Sequence, residues 1–121
     1  MPTTAIARSP ETPTAAALAT GIASSRICPV ALCEETLAAI AVCDDPAIFL
    51  LGTPERARRE AAASAARQRA GKPASPLDGL PLAWKGLFDL EGLPTIAGSR
   101  VLSDAPPAAQ DAAVVARLAA A

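Results

Sequence analysis

The chain has no histidine and no tyrosine, and only two phenylalanines, one tryptophan and one methionine in 121 residues. The missing histidine rules out a mixed Cys/His metal site. Its three cysteines, Cys28, Cys33 and Cys43, lack the close pairing of a zinc motif. That leaves a three-thiolate site or buried free thiols in a reducing compartment, and the second is expected, with a cytoplasmic location and no metal. No apolar run is long enough to cross a bilayer; the longest lies near Ile48 to Gly52. Charge of one sign is also missing, since 11 basic and 12 acidic side chains leave a net charge of -1. Such a balance carries no electrostatic footprint for nucleic acid or an anionic membrane. The 51% hydrophobic content is largely alanine, which buries little surface per residue, so the core expected from this chain alone is thin.

Residues 1–24 are rich in Thr, Ala and Pro and lack the basic start and compact apolar centre of a signal peptide. A disordered leader is the expectation, and residues 25–121 form the folded unit. Val30, Cys33, Leu37 and Ile40 recur at helical spacing after Pro29, which predicts a helix over about 29–43, stopped by Asp44-Asp45-Pro46. Glu34 and Glu35 within it point about 100° apart, as a solvated face rather than an acid/base pair. Ala47 to Leu51 is a short apolar run, strand or buried coil. Thr53-Pro54-Glu55 opens a second helix, over about 54–70, ended by Gly71. Glu55 and Arg59 stand at the favourable i,i+4 spacing. Ala57, Ala61, Ser64 and Ala65 form a narrow stripe that lets a neighbour approach closely. Arg56, Arg58, Arg59, Arg67, Arg69 and Lys72 are dispersed around the helix with glutamates between them, which fits solubility better than nucleic-acid binding. A last helix is expected over about 109–121, with Asp111 near its N-terminus.

Between the second and last helices lies the stretch with chemical content, Ser75-Pro76-Leu77-Asp78-Gly79-Leu80-Pro81-Leu82-Ala83-Trp84-Lys85. As a strand over about 80–85, it places Leu80, Leu82 and Trp84 on one face and Pro81, Ala83 and Lys85 on the other. An ammonium among small apolar neighbours is disfavoured by desolvation, so some neutral amine, a competent base, is expected near neutral pH. The alternative is a lysine that caps a strand end in water. Asp89 and Glu91 are near in sequence and are either partners of Lys85 or solvated loop carboxylates. The scattered glycines form no phosphate-cradling loop.

The run Gly79-Leu80-Pro81-Leu82-Ala83-Trp84-Lys85, then Phe88-Asp89 and Gly92-Leu93-Pro94-Thr95-Ile96-Ala97-Gly98-Ser99, resembles the start of the amidase signature family of amide hydrolases. Asp111 to Leu118 is similar to the helix that follows in that family, and the likeness extends loosely upstream to about Thr20. The resemblance implies an α/β fold with helices packed on a mixed sheet, of which this chain is an incomplete N-terminal portion. It implies that Lys85 matches the lysine of a Ser–cis-Ser–Lys triad, and that the substrate is a small-molecule amide. No cofactor is implied. Members usually carry an acidic residue after the lysine, where this chain has Gly86. The cis-serine, the nucleophilic serine and the oxyanion-hole amides lie further along in the family, so the chain alone is expected to be inactive. A non-catalytic interaction module, or a subunit needing a complementary partner chain, is the alternative, and an unfolded pseudogene remnant is a third reading.

Overall fold

The computed structural model describes residues 12–121. Helix α1, Ala15–Ala23, opens where Thr14 Oγ1 accepts the Ala17 N–H at 3.1 Å, satisfying a first-turn donor that has no partner inside the helix. It closes through Ser25, at φ 59, which donates its N–H to Ile22 O while Arg26 donates to Gly21 O. That pair of bonds is a Schellman end. This helix lies inside the segment expected to be a disordered leader, which is a correction; the leader's residues 1–11 lie outside the described residues. Alanine has the highest intrinsic helix propensity, and Ile22 is anchored in the core at 2% exposure. A serine in the left-handed region costs backbone energy that glycine does not, so Ser25→Gly is expected to raise stability by roughly 0.5–1 kcal/mol. A rise in the urea midpoint is the check, and no rise would mean that the turn is not strained.

Helices α2, Pro29–Ala41, and α3, Pro54–Arg69, pack against each other. Each has proline in its first turn, where a missing N–H costs nothing. Cys33 of α2 and Ser64 and Ala65 of α3 are buried, so small side chains let the two axes come close. Thr53 makes no side-chain cap bond, although the residue type suits one. At the other end of α3, Gly71, at φ 66, donates to Gln68 O and Lys72 donates to Arg67 O, a second Schellman closure. The connection between α2 and α3 is not buried. Asp45 Oδ1 accepts the Ala47 N–H at 2.9 Å, turning the chain, and Ile48 and Leu51 are 58% and 47% exposed. The run 47–51 is therefore an exposed turn rather than a strand or buried coil.

Helix α4, Ala113–Ala119, buries Val115. It starts later than the expected residue 109 because the preceding backbone is committed elsewhere. Ala108 donates to Leu93 O and accepts from Gly92, forming a parallel bridge with Glu91. Among the described residues no segment is a strand, and this bridge is isolated. The expected strand over 80–85 and the mixed sheet are thus not found here. A strand exists only by pairing, and Leu80 to Lys85 meets no ladder partner among the described residues. No helix among them is long and apolar enough to cross a membrane.

The apolar core is small, as the alanine content predicts. Ile22, Cys33, Ala65 and Val115 are its buried hydrophobic members among the described residues, while Leu50, Leu77, Leu82, Leu87 and Val101 are all at least half exposed. The polar interior is unusual for so small a core: Asp78 is 5% exposed.

Candidate active site

Lys85 sits at the end of an irregular run that begins at a fixed turn. Gly79, at φ 99, passes so close to α2 and α3 that a Cβ there would lie 2.8 Å from Ser64 Oγ and 3.0 Å from Pro29 Cγ. Just before it, the Asp78 carboxylate accepts Arg67 Nη2 at 2.7 Å and Arg67 Nε at 2.8 Å, and also the Ala74 N–H at 2.9 Å. Gln68 Nε2 donates to the Asp78 carbonyl. The Arg67 guanidinium, opposed by burial and helped by the Ala74 amide, holds the Asp78 carboxyl far below the usual carboxylate range. Ser64 Oγ lies near enough to favour that ionised state but completes no hydrogen bond of good geometry.

Lys85 itself is exposed, as are Pro81 and Ala83. The shielding expected from these small neighbours is therefore absent, because the run makes no sheet that would turn one face inward. Trp84, half-buried, packs edge-on to Phe88 with ring centroids 5.7 Å apart. Two hydrogen bonds hold the backbone after the lysine: a turn in which Phe88 donates to Lys85 O, and a longer-range tie in which Ala97 donates to Gly86 O at 2.9 Å. The Asp89 carboxylate accepts from Thr95 Oγ1, and Glu91 is exposed. Neither forms an ion pair with Lys85 among the described residues.

The far side of this segment is tied down by Asp111. Its carboxylate accepts Arg56 Nη1 and Nη2 at 2.8 and 2.7 Å, and the Glu91 N–H at 2.9 Å. Ala112 donates to Asp89 O. Arg56 and the Glu91 amide lower the Asp111 carboxyl to about 2. The sequence places Asp111 near a helix N-terminus, Arg56 opposite Glu60 and Arg67 among dispersed surface charges. The Arg56–Glu60 pair is present, with Nε donating to Glu60 Oε1 at 2.7 Å, and the structure in addition uses Asp111, Arg56 and Arg67 in bidentate pairs. On the outer face of α3, Arg58 rather than Arg59 takes Glu55, and it also bridges to Glu34 of α2.

Both carboxyls release their protons more readily when folded than when unfolded. Their stabilisation is therefore complete above the ordinary carboxylate value near 4 and is lost as the pH falls. Asp111's share goes by about pH 2, and Asp78's persists to lower pH. Denaturant midpoints are expected to fall between pH 5 and pH 2.5, and a flat profile would show that the pairs add no stability.

Cys33 is buried and desolvation raises its thiol, but Cys28 and Cys43 are exposed, so the expectation of buried thiols holds for one residue of three. No group of three or more potential metal ligands converges among the described residues. A groove of about 500 Å³ is lined by Ala19, Gln68, Ser75 and Asp78 among others and does not include Lys85.

Residues 31–121 match the family described as Amidase. The chain is 48% identical over 102 residues to AtzE, a 1-carboxybiuret hydrolase subunit from Pseudomonas sp. (strain ADP), covering 84% of this chain and 22% of that protein. It is 44% identical over 102 residues to a glutamyl-tRNA(Gln) amidotransferase subunit from Anaeromyxobacter dehalogenans (strain 2CP-C), covering 84% of this chain and 20% of that protein. A solved structure described as "An unexpected vestigial protein complex reveals the evolutionary origins of an s-triazine catabolic enzyme" superposes with a TM-score of 0.79 at 46% identity, over 85% of this chain and 23% of that one. The chain thus spans about a fifth of the length of the curated relatives it matches.

Proposed function

The chain belongs to the amidase family, and on that footing we propose that it supplies the lysine-bearing N-terminal part of a hydrolase acting on the C–N bond of small carboxylic amides. The observation that carries this reading is the 48% identity to a 1-carboxybiuret hydrolase subunit, taken together with the run Gly79 to Lys85. Lys85 is the general base. In the resemblance it takes the proton of a serine in a cis peptide, which activates a second serine to attack the amide carbonyl and form an acyl-enzyme. The substrate is a small amide or urea-like molecule, and the setting is cytoplasmic.

Both relatives are named as subunits, which favours a complementary chain or a longer polypeptide that completes the site. The exposure of Leu82 and Leu87 at 59% and 57%, on either side of Lys85, supports this. We read these two leucines as part of a surface that another body covers. A non-catalytic module that docks through this surface is the second reading, favoured by the same exposed residues.

A base without nucleophile or oxyanion donors supplies only a small part of a rate enhancement. The purified chain, offered simple amides, glutamine and biuret, is therefore expected to release no ammonia above buffer. Joined to the remaining portion of the Pseudomonas relative in a chimaera, it is expected to restore ammonia release. Turnover by the chain alone that disappears in Lys85→Ala would contradict the need for a completing body. An inactive but folded chimaera would favour the docking module.

A further inference from the structure

Arg56 and Arg67 are eleven residues apart, a spacing that returns to the same face of a helix within about 20° after three turns and separates them by about 16 Å along the axis. Each grips an aspartate through two nitrogens, and each of those aspartates also accepts one backbone N–H: Ala74 for Asp78, Glu91 for Asp111. Asp78 begins the segment that carries Lys85, and Asp111 ends it.

We propose that α3 is a splint that fixes both ends of the Lys85 segment, with Arg56 and Arg67 as positioning residues seated on Asp111 and Asp78. Its meaning for catalysis rests on the reading of Lys85 as the base. The segment between the clamps has no sheet of its own among the described residues and is held internally by isolated hydrogen bonds such as Ala97 N–H to Gly86 O and Gly92 N–H to Ala108 O. Its placement therefore depends on its ends. The two seats differ from ordinary surface ion pairs because the carboxylates are shielded, with side chains 2% exposed for Asp78 and 16% for Asp111. Planar two-point bonds transmit direction as well as attraction, which lysine in the same place does not. Arg58, 46% exposed and paired with Glu34 and Glu55, faces away from the segment and serves as the internal control.

The test uses the full chain and needs no turnover. Amide exchange is followed at Gly92, Ala97 and Ala112, which report the far clamp, and at Leu80, which reports the near one; amides in the middle of α2 serve as reference. Trp84, the single tryptophan, reports the arm by its emission maximum. Arg56→Gln is expected to speed exchange at Gly92, Ala97 and Ala112 about tenfold or more relative to α2 and to shift Trp84 emission to the red. Arg67→Gln is expected to act first at Leu80. Arg56→Lys and Arg67→Lys keep the charge and fold more readily, and are expected to give smaller shifts at the same amides. Arg58→Gln is expected to leave the segment unchanged. Equal acceleration in α2, or lysine variants indistinguishable from the parent, would overturn the splint and leave the amidase reading untouched. Selective loosening with no hydrolysis in the chimaera would leave the splint standing and remove the catalytic role of Lys85.

Discussion

Lys85→Ala is expected to lower kcat about 10²–10⁴-fold in a chimaera that joins this chain to the remaining portion of the Pseudomonas relative, the range that a positioned general base contributes. The effect should fall on kcat with little change in KM, because in the proposed role the amine acts on a hydroxyl proton and not on the body of the substrate. Lys85→Arg is expected to fail as a rescue despite its equal charge and greater reach. A guanidinium stays protonated throughout the accessible pH range and cannot accept a proton. The pair of variants separates a base from a cation that merely stabilises charge: the second role would survive in arginine. Chimaeras with the same kcat in the parent and in Lys85→Ala, measured as ammonia release under saturating substrate, would remove the lysine from the mechanism. The exposure of Lys85 in the isolated chain makes the expectation sharper. In the proposed role, any desolvation of the amine comes from the body that covers Leu82 and Leu87, so the chemistry requires that docking while the docking does not require the chemistry.

The parts of this fold written in local sequence were legible, and the parts set by distant pairing were not. Pro29 and Pro54 mark helix starts because proline is free of cost only in a first turn, and Gly71 marks an end because its positive φ suits a glycine. Helix α1 falls inside the segment expected to be a disordered leader because its tie to the core is confined to Gly21 and Ile22, too short a patch for periodicity to reveal. The strand expected at 80–85 rested on alternation alone, and alternation states which face a residue takes only if a neighbouring strand exists. The two clamps leave a trace in the sequence. Arginines eleven apart on a helix, with aspartates at the two ends of the following segment, are a pattern that same-face arithmetic can find. Dispersal of charge around α3 hid it, since Arg58 and Arg59 lie between and point elsewhere. The motif from Gly79 to Lys85 was recognisable as a likeness, but its physics was not: the lysine's neighbours proved exposed rather than shielding.

Gly79→Ala is expected to destabilise the chain on two counts. The backbone at φ 99 is costly for any residue with a Cβ, by about 1–2 kcal/mol. The added atom would also press on Ser64 Oγ at 2.8 Å and Pro29 Cγ at 3.0 Å, and overpacking of this kind costs about 1–3 kcal/mol. A loss of about 2–5 kcal/mol is expected, large against the marginal stability of a small domain. The neighbouring hydroxyl divides the two causes. Ser64 Oγ is buried without a completed hydrogen bond, so Ser64→Ala alone should change stability by less than about 1 kcal/mol, the lost hydroxyl being offset by the removal of an unsatisfied polar atom. In combination with Gly79→Ala it should recover about 1 kcal/mol, because the oxygen is gone while the Pro29 contact and the backbone strain remain. The four urea midpoints of that cycle measure the coupling. A coupling of zero would place the whole cost in the backbone strain and the Pro29 contact. A complete recovery would place it in the oxygen, and the turn that aims Lys85 would then be held by packing against Ser64 and not by the conformation that only glycine takes without strain.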